Sequence, residues 1–256
     1  MKHTALRVCF GLVLAAFACV PATSSHADEA TIAVAANFTS TARKLGAVFE
    51  ASTGHHVVFS FGATGQLYTQ IAHGAPFDAF LAADQERPEL AVSEGHAVSG
   101  TRFTYAIGLL VLWSADPQLI DGTPAVLSDP TLRHVAIANP ATAPYGAAAV
   151  ETMKALSVFE DLKPRLVEGK NVSQTYQFVA TGNAPVGFVA ASQILENDTG
   201  SSWAVPANMY APLRQDAVLL TYGRDNEAAK DFLEFLRGTE AAKLIERLGY
   251  RPPGEN

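Results

Sequence analysis

Phe103-Thr104-Tyr105-Ala106-Ile107-Gly108-Leu109-Leu110-Val111-Leu112-Trp113-Ser114-Ala115 is the stretch on which the reading of this chain turns. It is aliphatic and aromatic with no charge, so it reads as β structure buried on both faces. It is too short to cross a membrane as a helix. It is also too long for one ordinary strand of a small sheet. A run of this kind can leave one sheet and continue in another.

Alternating elements stand on both sides of it. Before it, residues 30–36, 55–62 and 77–83 read as strands. Between them lie a helix with the stripe Phe38, Ala42, Leu45 and Phe49, closed by Gly54, and a second helix over 66–72 with Gly74 just past its end. After it the pattern starts afresh, with strand 134–139, an alanine-rich helix over 145–156, a helix over 173–180 ended by Gly182, and strand 186–191. A β-type run at 216–221 and two helices, 227–236 and 240–248, complete the chain. Such alternation predicts an α/β protein with largely parallel sheets. Two sets separated by a long strand and a later return strand predict two lobes joined by a double crossover. On this reading lobe I is 28–107 plus 217–256 and lobe II is 108–216, with the ligand cleft between them.

Residues 1–27 differ in kind. Lys2 and Arg7 give a positive start, residues 8–20 are almost wholly apolar, and Ser25-His26-Ala27 places small residues where a signal peptidase inspects. This predicts a secretory signal peptide cut after Ala27, hence a periplasmic protein. Cys9 and Cys19 both fall in this segment, so the mature chain has neither a disulfide nor a thiol for catalysis. The sequence Ala16-Phe17-Ala18-Cys19 lacks the leucine usual in a lipoprotein signal, so lipid anchoring at Cys19 is not expected. The 25 acidic side chains outnumber the 18 basic ones, two of which leave with the leader. That balance argues against nucleic acid and anionic membranes as partners.

Four helices begin with small or polar residues directly after a strand. The segments are Ala35-Ala36-Asn37-Phe38, Gly62-Ala63-Thr64-Gly65-Gln66, Thr142-Ala143-Pro144-Tyr145-Gly146 and Lys170-Asn171-Val172-Ser173. A helix start carries unpaired N–H groups and a partial positive charge, so it attracts anions. Four of them facing one cleft would make a cage of neutral donors for a small tetrahedral oxyanion, with no lysine or arginine required. Each segment also has an ordinary structural role open to it. Asn37 and Asn171 suit N-caps, Thr64 a glycine-rich turn, and Pro144 a first helical turn. Sequence alone does not show that the four converge.

Further stretches carry a resemblance. They include Val34-Ala35-Ala36-Asn37-Phe38, Ser60-Phe61-Gly62-Ala63-Thr64-Gly65, residues 70–78, Ala82-Ala83-Asp84, residues 102–108, residues 139–146 and Leu248-Gly249-Tyr250. Collinear and dense from about Ala30 to Pro252, they resemble the periplasmic molybdate-binding proteins of molybdate ABC transporters. The resemblance implies a type II periplasmic binding protein fold, two α/β lobes joined by a double-strand hinge, that holds molybdate or tungstate by hydrogen bonds from both lobes. It implies no cofactor, a membrane permease as partner and a monomeric protein. By motif position Asn37 and Thr64 match side-chain donors, Tyr145 and Val172 match backbone N–H donors, and Ala36 and Gly65 are candidate backbone donors. Ala36 stands where some relatives have threonine, and Ala190 where one branch has tyrosine.

From this follows the expected mechanism. A buried dianion loses its hydration, which several aimed donors must replace, and two lobes supply these together only on hinge closure. Residues 105–109 and 214–218 are the expected bending strands. A rigid cage selects by size and scarcely separates molybdate from tungstate.

The sequence bears on three rival classes. An enzyme finds no support, because G-x-S-x-G, H-E-x-x-H, a P-loop and G-x-G-x-x-G are all missing from the sequence. A metal centre is disfavoured because His55 and His56 are adjacent on a strand and point to opposite faces. Tyr145 and Tyr176 fit aromatic packing. The same fold with sulfate, phosphate or an organic acid is the serious competitor. The glycosylation sequons at Asn37, Asn171 and Asn197 read as chance matches.

Overall fold

The computed structural model describes residues 28–195 and 199–254. The leader with Cys19, and the sequon at Asn197, lie outside the described residues. The chain begins with β1 (Glu29–Ala35), which passes through a 3-10 turn at Ala36–Phe38 into α1 (Thr39–Thr53). Then follow β2 (His56–Gly62), α2 (Thr64–Ala72), β3 (Ala79–Leu81) and α3 (Glu86–Ser93). The long run is two strands, β4 (Phe103–Gly108) and β5 (Leu110–Ser114), with Leu109 alone between them. The second half runs β6 (Val135–Ala138), α4 (Pro144–Ala155), a short α5 (Phe159–Leu162), β7 (Leu166–Gly169), α6 (Val172–Ala180), β8 (Val186–Ala190), a short α7 (Ala191–Ile194) and β9 (Ser201–Ala204). The chain ends with β10 (Leu213–Leu219), α8 (Glu227–Arg237) and α9 (Thr239–Arg247).

The described residues form two five-stranded sheets, ordered β2-β1-β3-β10-β4 and β7-β6-β8-β5-β9. β4 and β5 therefore belong to different sheets, as a run too long for one sheet requires. Neither sheet is as parallel as expected. In the first, β1 is parallel to β2 and β3, whereas β10 is antiparallel to β3 and β4. In the second, β6 is parallel to β7 and β8, whereas β5 is antiparallel to β8 and β9. The antiparallel strands β5 and β10 are those that arrive from the other sheet without a crossover helix to reverse them.

That arrangement corrects the second hinge strand. Residues 214–218 lie wholly inside β10, and the lobe boundary expected at 216/217 cuts that strand. β10 is hydrogen-bonded to β3 and β4 of the first sheet, and a strand tied on both sides is a poor place to bend. Sheet membership changes earlier, between Ala204 and Leu213, in irregular chain that holds Pro206 and Pro212.

Each sheet is covered on both faces. Phe38, Phe49 and Phe232 pack one face of the first, and Leu67, Phe77 and Phe80 the other. Tyr145, Met153 and Phe188 cover one face of the second, and Val179 and Val189 the other, together with Trp113, which stacks on Tyr176 at 4.9 Å. The core of the second sheet also takes in Ala35, Ala63 and Ala83 from the first, so the lobes pack directly on one another.

Four parallel strands, β1, β2, β6 and β7, each feed a helical turn at their C-terminal ends, with starts at Ala36, Thr64, Pro144 and Val172. This is the edge of an α/β sheet where ligands gather. The structure thus supplies what the sequence could not, a common place for the helix starts.

Candidate functional site

Ala36, Asn37, Thr64, Tyr145 and Val172 line one small cavity between the lobes, together with Ala35, Gly62, Ala63, Ala83, Ala143, Pro144 and Asn171. No lysine, arginine or carboxylate is among them. The cavity offers about 10 Å³ for the centre of a water-sized sphere, within about 200 Å³ of atom-free volume. The first figure is room for about one water molecule, far below the roughly 300–1,000 Å³ typical of larger organic ligands.

The donors reach it by different routes. Tyr145 is the second residue of α4 and Val172 the first of α6, so their N–H groups lie in first turns without intrahelical acceptors. Among the described residues no protein acceptor takes either of them. Asn171 caps α6 by accepting the Gln174 N–H at 3.0 Å, which fixes the turn that presents Val172. Thr64 opens α2 and is 1% exposed. Its Oγ1 accepts the Ala83 N–H at 3.0 Å, leaving its own proton to donate.

Two expected donors are already engaged. Gly65 donates its N–H across the cleft to the Thr142 carbonyl at 2.9 Å. Asn37 is not an N-cap. It sits inside the 3-10 turn, and its Nδ2 donates to Gln215 Oε1 at 2.9 Å and more weakly to Tyr250 Oη at 3.4 Å.

These bonds belong to a buried polar network that sequence reading missed. Gln215 Oε1 also accepts from Tyr105 Oη at 3.0 Å, and Gln215 Nε2 donates to Tyr145 Oη at 3.3 Å. Tyr250 Oη lies 2.8 Å from the Asn37 carbonyl and 3.0 Å from Ser192 Oγ, and gives its one proton to one or the other. Ser192 Oγ donates to the Asn37 carbonyl at 3.2 Å, and Ser173 Oγ to the Ala36 carbonyl at 3.0 Å. A register shift in β10 falls at Gln215/Asp216, and the two consecutive residues serve different neighbours. Gln215 turns to the site and Asp216 to Arg102, whose Nη1 lies at 2.7 Å. Burial pushes the Tyr105 and Tyr145 phenols well above their ordinary range and that of Tyr250 to about 12. All three are neutral hydrogen-bonding groups.

Gly108, the last residue of β4, leaves the space for this network. A Cβ there would stand 2.2 Å from Tyr145 Oη and 2.5 Å from Gln215 Nε2. Tyr105 and Tyr250 fall in stretches that the sequence reading had singled out. Nothing local marks Gln215, whose partner Asn37 is 178 positions away.

Elsewhere, His55 is buried against Phe49 while His56 is exposed and paired with Glu50, so the two histidines face apart. Among the described residues no three His, Cys, Asp or Glu side chains cluster to hold a metal ion. No described helix is long and apolar enough to cross a membrane. The sequon asparagine Asn37 is 4% exposed and out of reach of a glycan.

Comparison with known proteins bears directly on this geometry. The family described as bacterial extracellular solute-binding protein matches residues 30–251. The molybdate-binding protein ModA of Rhodobacter capsulatus is 54% identical over 247 residues, 96% of this chain and 94% of that one. ModA of Azotobacter vinelandii is 50% identical over 242 residues, 93% and 96% of the two chains. The solved periplasmic molybdate-binding protein of Azotobacter vinelandii superposes with a TM-score of 0.85 at 40% identity, covering 88% of this chain and 99% of that chain.

Proposed function

This chain belongs to the bacterial extracellular solute-binding protein family, and from that premise we propose that it captures molybdate and tungstate in the periplasm and delivers them to the permease of an ABC importer. It works as a monomer, without a cofactor and without catalysing a reaction. One observation carries the reading. Helix starts from both sheets line a single small cavity with no charged side chain in its wall. Relatives named for molybdate, 54% and 50% identical over nearly the whole chain, support the same ligand.

The chemistry follows from the donors. A tetrahedral dianion has no proton to give at neutral pH and asks only for hydrogen-bond donors. The Tyr145 and Val172 N–H groups, the Thr64 hydroxyl and the N–H groups at Ala36 and Asn37 supply them from the positive ends of helices. The Asn37 amide, which lines the cavity and is held by Gln215, would exchange that internal partner for a ligand oxygen. The lobes close around the ion, and the joined surface is what a permease reads.

The test is calorimetric titration of the mature protein, stripped of bound ligand, with molybdate, tungstate and sulfate. One-to-one binding of the first two with sulfate far weaker is the expected result. Preference for sulfate or phosphate would keep the fold and overturn the ligand. Silence from all three would overturn the oxyanion reading.

A further inference from the structure

Two grooves share lining residues with the cavity, and their charges differ. One, of about 960 Å³, runs between the start of α1 and α6 and shares Ala36, Asn37 and Asn171 with the cavity. Among the described residues, the only charged side chains lining it are Arg43 and Lys170, both cations. Arg43 is held over the Phe61 ring at 5.4 Å, so its charge stays at the groove. The other groove, of about 300 Å³, shares Ala83 and Pro144 with the cavity. Three carboxylates, Asp84, Glu86 and Glu151, line it against Arg87 and Arg214, and Arg87 is paired with Asp84 and Glu86 at 3.0 and 3.1 Å.

We infer that the α1–α6 groove is the approach path of the anion, and that Arg43 and Lys170 steer it inward without binding it in the final complex. The inference rests on the site being an oxyanion site. A dianion meets a chain of net charge −7, which repels it at long range. A groove walled by protein, with cations and no carboxylate among its described residues, focuses an attractive field along one route. Neither Arg43 nor Lys170 lines the cavity. They therefore act on the encounter, and the neutral donors act on the bound ion. Cations kept out of the cage also leave selection by size to the rigid donors.

The experiment is stopped-flow protein fluorescence with molybdate over a range of ionic strength. It compares the unsubstituted protein, Arg43→Gln/Lys170→Gln, Gln177→Glu and, as a control, Lys243→Gln. Lys243 lines neither groove, whereas Gln177 is exposed in the first and can carry an added carboxylate there. At low ionic strength the double variant should associate roughly three- to tenfold more slowly, and Gln177→Glu should also be slowed, with dissociation rates unchanged within about twofold. At about 1 M salt, where the Debye length is only about 3 Å, the differences should vanish. Lys243→Gln should behave as the unsubstituted protein. Equal association rates and salt slopes in all four proteins would overturn the inference, even if the double variant slowed uptake by permease-containing vesicles, since that would make these cations a docking surface. Faster dissociation, beyond about twofold, or a changed calorimetric enthalpy in the double variant would make them ligands and also overturn it. If calorimetry finds no molybdate binding by the unsubstituted protein, the functional reading itself fails and the steering role falls with it.

Discussion

Gly65 at the start of α2 donates its backbone N–H to the carbonyl of Thr142, in the loop before α4, at 2.9 Å. The two backbones belong to different lobes, and a Cβ on Gly65 would lie 3.1 Å from Thr142 Cα and 3.2 Å from its carbonyl oxygen. This is a direct backbone contact across the cleft, and a side chain at Gly65 would press on it.

Gly65→Ala should therefore weaken closure without harming either lobe. Alanine is the better helix residue, so thermal stability of the ligand-free protein should hold or rise slightly. Molybdate affinity should fall about tenfold, or about 1.4 kcal/mol, mainly through faster release. Titration with stopped-flow dissociation checks this. Unchanged affinity would mean that the Gly65–Thr142 contact is not part of the bound state.

Thr64 separates ligand donation from local structure. Thr64→Val keeps the shape but removes the hydroxyl and the acceptor for the Ala83 N–H, which should cost about 1–3 kcal/mol of stability through the orphaned buried donor. Binding should fall as well. Thr64→Ser restores the hydroxyl and should recover both. Recovery of stability by Ser without recovery of affinity would remove Thr64 from the donor set.

Gly108→Ala places a methyl group on the Tyr145 hydroxyl and the Gln215 amide. Both must move, and the Tyr145 N–H is itself one of the proposed ligand donors. Overpacking of this kind costs about 1–3 kcal/mol, so a lowered Tm should accompany lost affinity. If titration shows normal affinity in a destabilised protein, the polar network is structural alone.

High pH offers a test of the buried phenols. Tyr250 is pushed up to about 12 by burial, from an ordinary value of 10.0. Below pH 10 both folded and unfolded chains hold its proton, and its contribution is fully present. Between pH 10 and 12 the unfolded chain gives up a proton that the fold retains, so stability falls as pH rises, by about 1.4 kcal/mol per pH unit for each such group. Tyr105 and Tyr145 are shifted in the same direction and steepen the loss. Urea midpoints taken from about pH 9 to about pH 11 should drop steeply, and Tyr250→Phe should lessen the drop. An equal drop in both proteins would place the Tyr250 hydroxyl outside this linkage.

Much of this protein was legible from order along the chain. The uncharged run from Phe103 to Ala115 announced a change of sheet because its length exceeds what a small sheet can use. Glycines 54 and 182 marked helix ends because each takes a positive φ there. The helix starts at Ala36, Thr64, Pro144 and Val172 could be read because small and polar residues follow apolar strands. All of these are local properties of a few neighbouring residues, and local chemistry fixes them wherever the segment goes. The tertiary structure alone decided which distant residues meet. The antiparallel placement of β10 brings Gln215 beside Asn37 and Tyr145, spends the Asn37 amide, and moves the second crossing to the segment before Leu213. The approach of α2 to the loop before α4 spends the Gly65 N–H on Thr142. These partners are set by sheet order and by contact between the lobes, to which no stretch of sequence near either residue responds.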